Sequence, residues 1–240
     1  MAFNPLGEFV PAAEPMKGVA AKARAFLKSL PHAPRGSLSR IYLHWTGLPF
    51  GQAPDAYNGV ADFKAGEWSL VLSHDPRDNA GLTGQEPASH TWHRNRAAIG
   101  VAIAGMSTAT ENDFGFDALT PDGLDHLCAA AAAFAVRYGI DPLGTVVPGA
   151  THLDYGGATI DSTGEQNILT HAECARIDGY LRGFTSDPEC RWDLGSLVAL
   201  PPGTSLSKEM VAVCGDALRR RDRPHEHLLS PTARGARTQT

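Results

Sequence analysis

Three side chains in this chain could together act as the ligands of a metal, and the first of them lies in a strand-like segment. His44 falls within residues 41–46, a run of β-branched and aromatic residues that is typical of a short β-strand. Because strand side chains alternate between faces, Leu43 and Trp45 should point one way and His44 the other. A lone histidine there could be satisfied by one neighbouring carbonyl, so its role depends on partners elsewhere in the chain.

Two further residues supply such partners. His171 follows the strand-like run 168–170, and Asp193 lies within the segment Arg191–Leu194. Two neutral imidazoles and one carboxylate suit Zn²⁺, and three protein ligands leave the fourth position open for water or substrate, as in catalytic zinc sites. The residues are far apart in sequence, so only the fold could bring them together. Asp193 could instead cap the turn that follows it.

Periodicity and turn residues predict the elements that would position these side chains. Helical spacing of apolar residues, with proline or glycine after the first two segments, predicts helices at 15–30, 121–138 and 207–221. Strand patterns are found at 41–46, 68–72, 97–104, 144–148 and 167–170, with a long polar loop at 73–96 and a polar tail from 222. Strands mixed with long helices favour an α/β protein with a central mixed sheet flanked by helices.

Composition narrows the class of protein. The chain has 240 residues, a net charge of −5 and 42% hydrophobic residues, which fits a globular protein and gives no reason to expect nucleic-acid binding. It has neither a run of about 18 apolar residues nor a signal peptide at its start, so we expect no membrane span and synthesis in the cytoplasm. The four cysteines include no C-x-x-C pair, and no G-x-S-x-G motif indicates a serine hydrolase.

Four motifs in order resemble a known family. These are "YLHWT" (42–46), "HTWHRNRAAIGVAIAGM" (90–106), "LTHAE" (169–173) and "RWDL" (191–194), with the longest predicted helix between the second and third. The set resembles the zinc-dependent N-acetylmuramoyl-L-alanine amidases of the type-2 amidase group, which share their fold with peptidoglycan recognition proteins. The resemblance covers about residues 38 to 200. It implies that 38–203 form the amidase domain, between a helical extension at 1–37 and a C-terminal helix and tail at 204–240.

The resemblance also assigns roles to individual residues. It places the zinc ligands on His44, His171 and Asp193, and the active-site tyrosine on Tyr57. Arg191 stands where members of the family often have a lysine, and it keeps the positive charge without the compact ammonium geometry. His90 and Asn95 fall on the segment that borders the substrate groove.

The general base is the point at which this sequence departs from part of the family. Some intracellular members have a catalytic glutamate in the strand where this chain has Ala102, whereas other members use the tyrosine instead. Tyr57 and Glu173 are therefore the two candidates. The segment between His171 and Asp193 is also longer than in many relatives, which leaves Asp187 and Cys190 as rival third ligands. A disulfide between Cys174 and Cys190 is disfavoured in a reducing compartment.

The expected function is zinc-dependent hydrolysis of the amide bond between N-acetylmuramic acid and L-alanine, in peptidoglycan or a muropeptide. The alternative is a recognition module that binds peptidoglycan without cleaving it. A cytoplasmically made enzyme would need release or delivery to reach the cell wall, as for a prophage endolysin or an injected antibacterial effector. The sequence leaves the oligomeric state open.

Overall fold

The computed structural model of the chain describes residues 2–3, 9–10, 16–109, 115–147, 151–153, 159–178 and 208–221. The strands are β1 (Ala2–Phe3), β2 (Phe9–Val10), β3 (Arg40–Trp45), β4 (Gly59–Lys64), β5 (Glu67–Leu72), β6 (Ala98–Ile103), β7 (Thr151–Leu153), β8 (Thr159–Asp161) and β9 (Ile168–Thr170). The helices are α1 (Met16–Ser29), α2 (Pro76–Asn79), α3 (Pro121–Tyr138), α4 (His171–Asp178) and α5 (Lys208–Arg221).

A five-stranded mixed sheet forms the centre of the molecule, in the order β5-β4-β6-β3-β9. Strand β3 pairs in parallel with both β6 and β9, β4 pairs in parallel with β6, and β5 is antiparallel to β4. The carboxyl ends of β3, β6 and β9 therefore meet at one edge of the sheet. In open α/β sheets, ligands bind outside this edge.

The two faces of β3 carry different chemistry. Ile41, Leu43 and Trp45 belong to the main hydrophobic core, which α3 completes on that side of the sheet. Tyr42 lies in a separate small cluster with Ala98, Leu169 and Cys174. The predicted alternation of β3 is therefore confirmed, and the face that holds Tyr42 and His44 is the one away from α3.

Helix α3 has the bounds that its sequence predicts. Thr120 is the N-cap, with its hydroxyl accepting a hydrogen bond from the backbone N–H of Gly123, and Pro121 occupies the first turn. Gly139 ends the helix in the left-handed conformation at φ 73°, which glycine adopts without steric cost. Five consecutive alanines, at 129–133, are fully buried and let α3 lie close to its neighbours.

The first and last helices share the core with the sheet. Phe26 of α1 packs edge-to-face on Phe134 of α3, with ring centroids 5.4 Å apart. Val211, Cys214 and Leu218 of α5 are fully buried in the same cluster. The domain boundaries at 37 and 203 stay predictions, and within the described residues α1 and α5 pack as parts of one core.

Some of the other helices and strands agree with the sequence predictions, and others do not. The helices α1 and α5 and the strands β3, β5, β6 and β9 are found within a few residues of the predicted bounds. The strands β1, β2, β4, β7 and β8 and the helices α2 and α4 were not predicted. In the described part of 144–148, Thr145 makes only an isolated antiparallel bridge to Gln166, and the tail from residue 222 lies outside the described residues.

The expected fold class, a central mixed sheet flanked by helices, is confirmed, while the specific amidase-type fold stays a prediction. Among the described residues, no helix is both long and apolar enough to cross a membrane.

Candidate functional site

Two of the predicted ligands come together at the carboxyl edge of the sheet. His44 is the fifth residue of β3, and His171 is the first residue of α4, directly after β9. These strands are hydrogen-bonded neighbours in which Leu43 lies opposite Thr170. The two imidazole rings are 4.5 Å apart between centroids and cross at 65°. Residues 127 positions apart in sequence thus contribute one pair of imidazoles.

A capping box fixes the start of α4, and with it His171. The Glu173 carboxylate accepts a 2.7 Å hydrogen bond from the backbone N–H of Thr170, and the Thr170 hydroxyl accepts one of 3.2 Å from the backbone N–H of Glu173. Such reciprocal bonds satisfy two donors at the helix N-terminus. His171 lies between these two residues, so the cap holds its backbone at the end of β9.

Tyr57, the predicted active-site tyrosine, also lies near His44. Its ring centroid lies 5.1 Å from that of His44, and its hydroxyl donates a 3.2 Å hydrogen bond to the carbonyl of Trp45. On the neighbouring strand, Ala102 lies in register with His44 and is fully buried. The position that the resemblance matches to a glutamate in some amidases is therefore adjacent to His44 and holds only a methyl group.

His90 also lies at this site, behind His44 instead of at an open groove. It is buried, with its ring centroid 5.7 Å from that of His44. Burial lowers the pKa of His90 well below its ordinary value, and the nearby His44 and His171 lower it further, so the ring is neutral at neutral pH. This placement gives His90 a buried, structural position. Its role in substrate binding stays a prediction.

Asn95 has a comparable structural role. Its side-chain oxygen accepts a 2.7 Å hydrogen bond from the backbone N–H of Thr91, which closes the turn between the two residues. Its backbone carbonyl accepts a 2.7 Å bond from the Asn79 amide. In the structure, the side chain of Asn95 holds the loop in place. Its contact with substrate stays a prediction.

A buried arginine, to which the sequence assigns no role, connects this loop to the elements around the site. Arg94 is 1% exposed and donates to Glu165 at 2.6 Å, to Asp178 at 2.9 Å and to the hydroxyl of Tyr42 at 3.2 Å. Burial alone would lower the pKa of Arg94, but the hydrogen bonds to Asp178 and Glu165 raise it, so the guanidinium stays charged. Its partners are 71 and 84 positions away, a distance at which no local pattern signals an ion pair.

The described residues do not contain a complete set of metal ligands. Among them, no group of three histidine, cysteine, aspartate or glutamate side chains is arranged to hold a metal ion. The predicted third ligand Asp193 lies outside the described residues, as do Arg191 and the rival ligands Asp187 and Cys190. The pair of imidazoles suits zinc in donor type, and the third ligand stays a prediction.

Similarity to other proteins adds no further assignment. Comparison of the chain with models of protein families, with curated proteins and with solved structures gave no match. Support for a function therefore comes from the residues and geometry of the chain itself.

Proposed function

We propose that this protein is a zinc-dependent amidase with a fold of the type-2 amidase kind, which hydrolyses the bond between N-acetylmuramic acid and L-alanine in peptidoglycan or its fragments. The observation that carries the proposal is the pair His44 and His171. These imidazoles belong to two motifs that resemble the family, and they lie 4.5 Å apart at the carboxyl edge of the sheet.

The residues fit zinc in donor chemistry. His44 and His171 would provide two nitrogen ligands, and Asp193 would provide the carboxylate. When bound, Zn²⁺ polarises an amide carbonyl and lowers the pKa of water from about 15.7 toward 7.

The chain's own residues have separate tasks. The capping box at α4 keeps His171 at the end of β9, and the β3 ladder keeps His44 beside it. Tyr57 brings a hydroxyl to the same edge, where it could donate to a developing oxyanion after leaving the carbonyl of Trp45. Trp92, which is 46% exposed and adjoins the buried Thr91, offers an apolar surface for the substrate.

A second function, peptidoglycan binding without cleavage, has one observation in its favour. The base candidates among the described residues already have structural partners, because Tyr57 donates to Trp45 and Glu173 caps α4. Ala102 provides no carboxylate beside His44. A protein that kept the zinc ligands and lost the base would bind muropeptides and leave them intact.

The test combines metal content with product analysis. We expect the purified protein to hold about one zinc per chain, and to release peptides with a free L-alanine N-terminus from defined muropeptides, as measured by mass spectrometry. A chelator should abolish this release and added zinc should restore it. Release that persists without metal would contradict the zinc mechanism, whereas zinc binding with intact muropeptides would favour the binding module.

Substitutions distinguish the zinc ligands from histidines that do not bind the metal. His171→Ala and Asp193→Ala should each lose bound zinc, because each removes one of three protein ligands. His32→Gln is the matched control, since His32 contacts Arg137 at the opposite side of the sheet and should keep its zinc. An Asp193→Ala protein with full zinc content would exclude Asp193 as a ligand and turn attention to Asp187 and Cys190.

A further inference from the structure

A buried threonine contacts two histidines, one on β3 and one in the loop before β6. The Thr91 hydroxyl lies 3.1 Å from Nε2 of His44 and 2.9 Å from Nδ1 of His90. Thr91 is 1% exposed and His44 is fully buried, so water does not compete for these contacts. A threonine hydroxyl has one proton and two lone pairs, which allows it to accept a hydrogen bond from one ring while it donates one to the other.

The position of this hydroxyl is fixed from several directions. The backbone N–H of Thr91 donates to Asn95, and its carbonyl accepts a 2.9 Å bond from the backbone N–H of Arg94. Asn79 donates to the carbonyl of Asn95, and the oxygen of the Asn79 side chain accepts from Asn58 at 2.8 Å. Asn58 in turn accepts a 2.8 Å bond from the backbone N–H of Gly100 in β6. The hydroxyl is therefore anchored to the sheet itself.

We propose that Thr91 is a positioning residue for the metal site: its hydroxyl accepts a hydrogen bond from Nε2–H of His44, which leaves Nδ1 of that ring for the metal. This inference rests on the proposed zinc site. Partners on the distal nitrogen of a ligating histidine fix its tautomer and ring orientation, and their removal typically weakens metal affinity about 10- to 100-fold. Carboxylates and backbone carbonyls are the usual partners, and here a threonine hydroxyl takes that place.

The test measures zinc affinity in Thr91 variants by competition with a coloured chelator. Thr91→Val keeps the shape and removes the hydroxyl, so it should bind zinc about 10- to 100-fold more weakly than the wild-type protein. Thr91→Ser keeps the hydroxyl and should remain within a few-fold of the wild-type affinity. Thr83→Val is the matched control, because Thr83 is exposed and its hydroxyl bonds to Asp78 of α2, and this variant should bind zinc normally.

A second measurement covers the case in which Thr91→Val does not fold. In the zinc-loaded wild-type protein, long-range ¹H–¹⁵N spectra should find the His44 proton on Nε2, with His44→Gln to assign the signal. Zinc on Nε2, or equal affinities for the valine and wild-type proteins, would overturn the role of Thr91 and leave the proposed amidase intact. A wild-type protein that binds no zinc would overturn both.

Discussion

At the scale of single residues, the space around His90 depends on one glycine. A Cβ atom on Gly100 would lie 2.4 Å from Cγ of His90 and 2.6 Å from its Cβ, far closer than atoms can approach. Gly100 lies opposite Tyr42 in the β3–β6 ladder, so its backbone has little freedom to retreat. The absence of a side chain at Gly100 is thus what allows His90 to lie on the sheet behind His44.

We expect Gly100→Ala to displace His90 and to destabilise the protein by about 1–3 kcal/mol, as overpacking of a buried site does. Urea unfolding would measure the change in free energy, and chelator competition would measure any change in the proposed zinc affinity. Gly215→Ala on α5 is the matched control. Its Cβ would lie 3.3 Å from the flexible end of Arg219 and at an ordinary 3.8 Å from Val136, and alanine favours the helix. Equal stability of the Gly100→Ala and wild-type proteins would mean that the loop adjusts freely.

At the scale of elements, the short helix α4 connects the sheet to the site through its first turn. Thr170 is both the last residue of β9 and the hydroxyl partner of Glu173, so strand and helix follow each other without a loop. This arrangement assigns Glu173 a capping function that requires no proton transfer.

The two roles of Glu173 can be separated by a pair of substitutions. Glutamine also completes a capping box, so Glu173→Gln should keep both the stability and any amidase activity. Glu173→Ala should lose about 0.5–2 kcal/mol, the usual cost of a lost cap, in thermal or urea unfolding. If Glu173→Gln folded normally and lost activity about 100-fold or more, the glutamate would be a general acid or base.

The buried ion pairs of Arg94 connect three elements that border the site. Glu165 lies just before β9, Asp178 ends α4, and Arg94 lies in the loop before β6. Replacing Arg94 with methionine would leave the carboxylates of Glu165 and Asp178, whose side chains are 13% and 12% exposed, without their cation, so we expect a loss of up to about 3–5 kcal/mol in urea unfolding. Arg77→Met is the control, because its pair with Asp75 is exposed and should contribute at most about 1 kcal/mol. Similar losses for the two variants would show that the buried pairs hold little of the fold together.

The elements that sequence could and could not predict differ in physical ways. Long amphipathic helices and apolar strands were recognised because burial on one side imposes a period on their residues. Strand β4 was missed because Asp62 interrupts its apolar run, and only the fold explains this residue, whose carboxylate accepts a 2.9 Å bond from the backbone N–H of Gly51. Likewise, His44 and His171 could be named from sequence, whereas the contacts of Thr91 and Arg94 arise from chain segments that are distant in sequence.

At the scale of the whole molecule, the sheet separates a hydrophobic side from a polar side. Helices α1 and α3 cover one face, with α5 packed on these helices in the same core, while the polar networks around His44 and Arg94 occupy the other face. One charged group lies within the hydrophobic side. Asp125 of α3 is 7% exposed and lies near Cys128 and Cys214, where its charge adds to burial in raising the pKa of both thiols.

Asp125 should make the stability of the whole fold depend on pH. Burial raises the pKa of Asp125 above its ordinary value of 3.8, so the folded state holds its proton at a pH where the unfolded state has lost it. The wild-type protein should therefore lose stability relative to Asp125→Asn as pH rises from 3.8 to the folded pKa, by at most about 1.4 kcal/mol per pH unit, and the difference should then stay constant to pH 7. Urea unfolding across this range measures it, with Asp55→Asn as the control because Asp55 is exposed and lies outside α3. Parallel stability curves for the Asp125→Asn and wild-type proteins would mean that the Asp125 carboxylate reaches water in the folded protein.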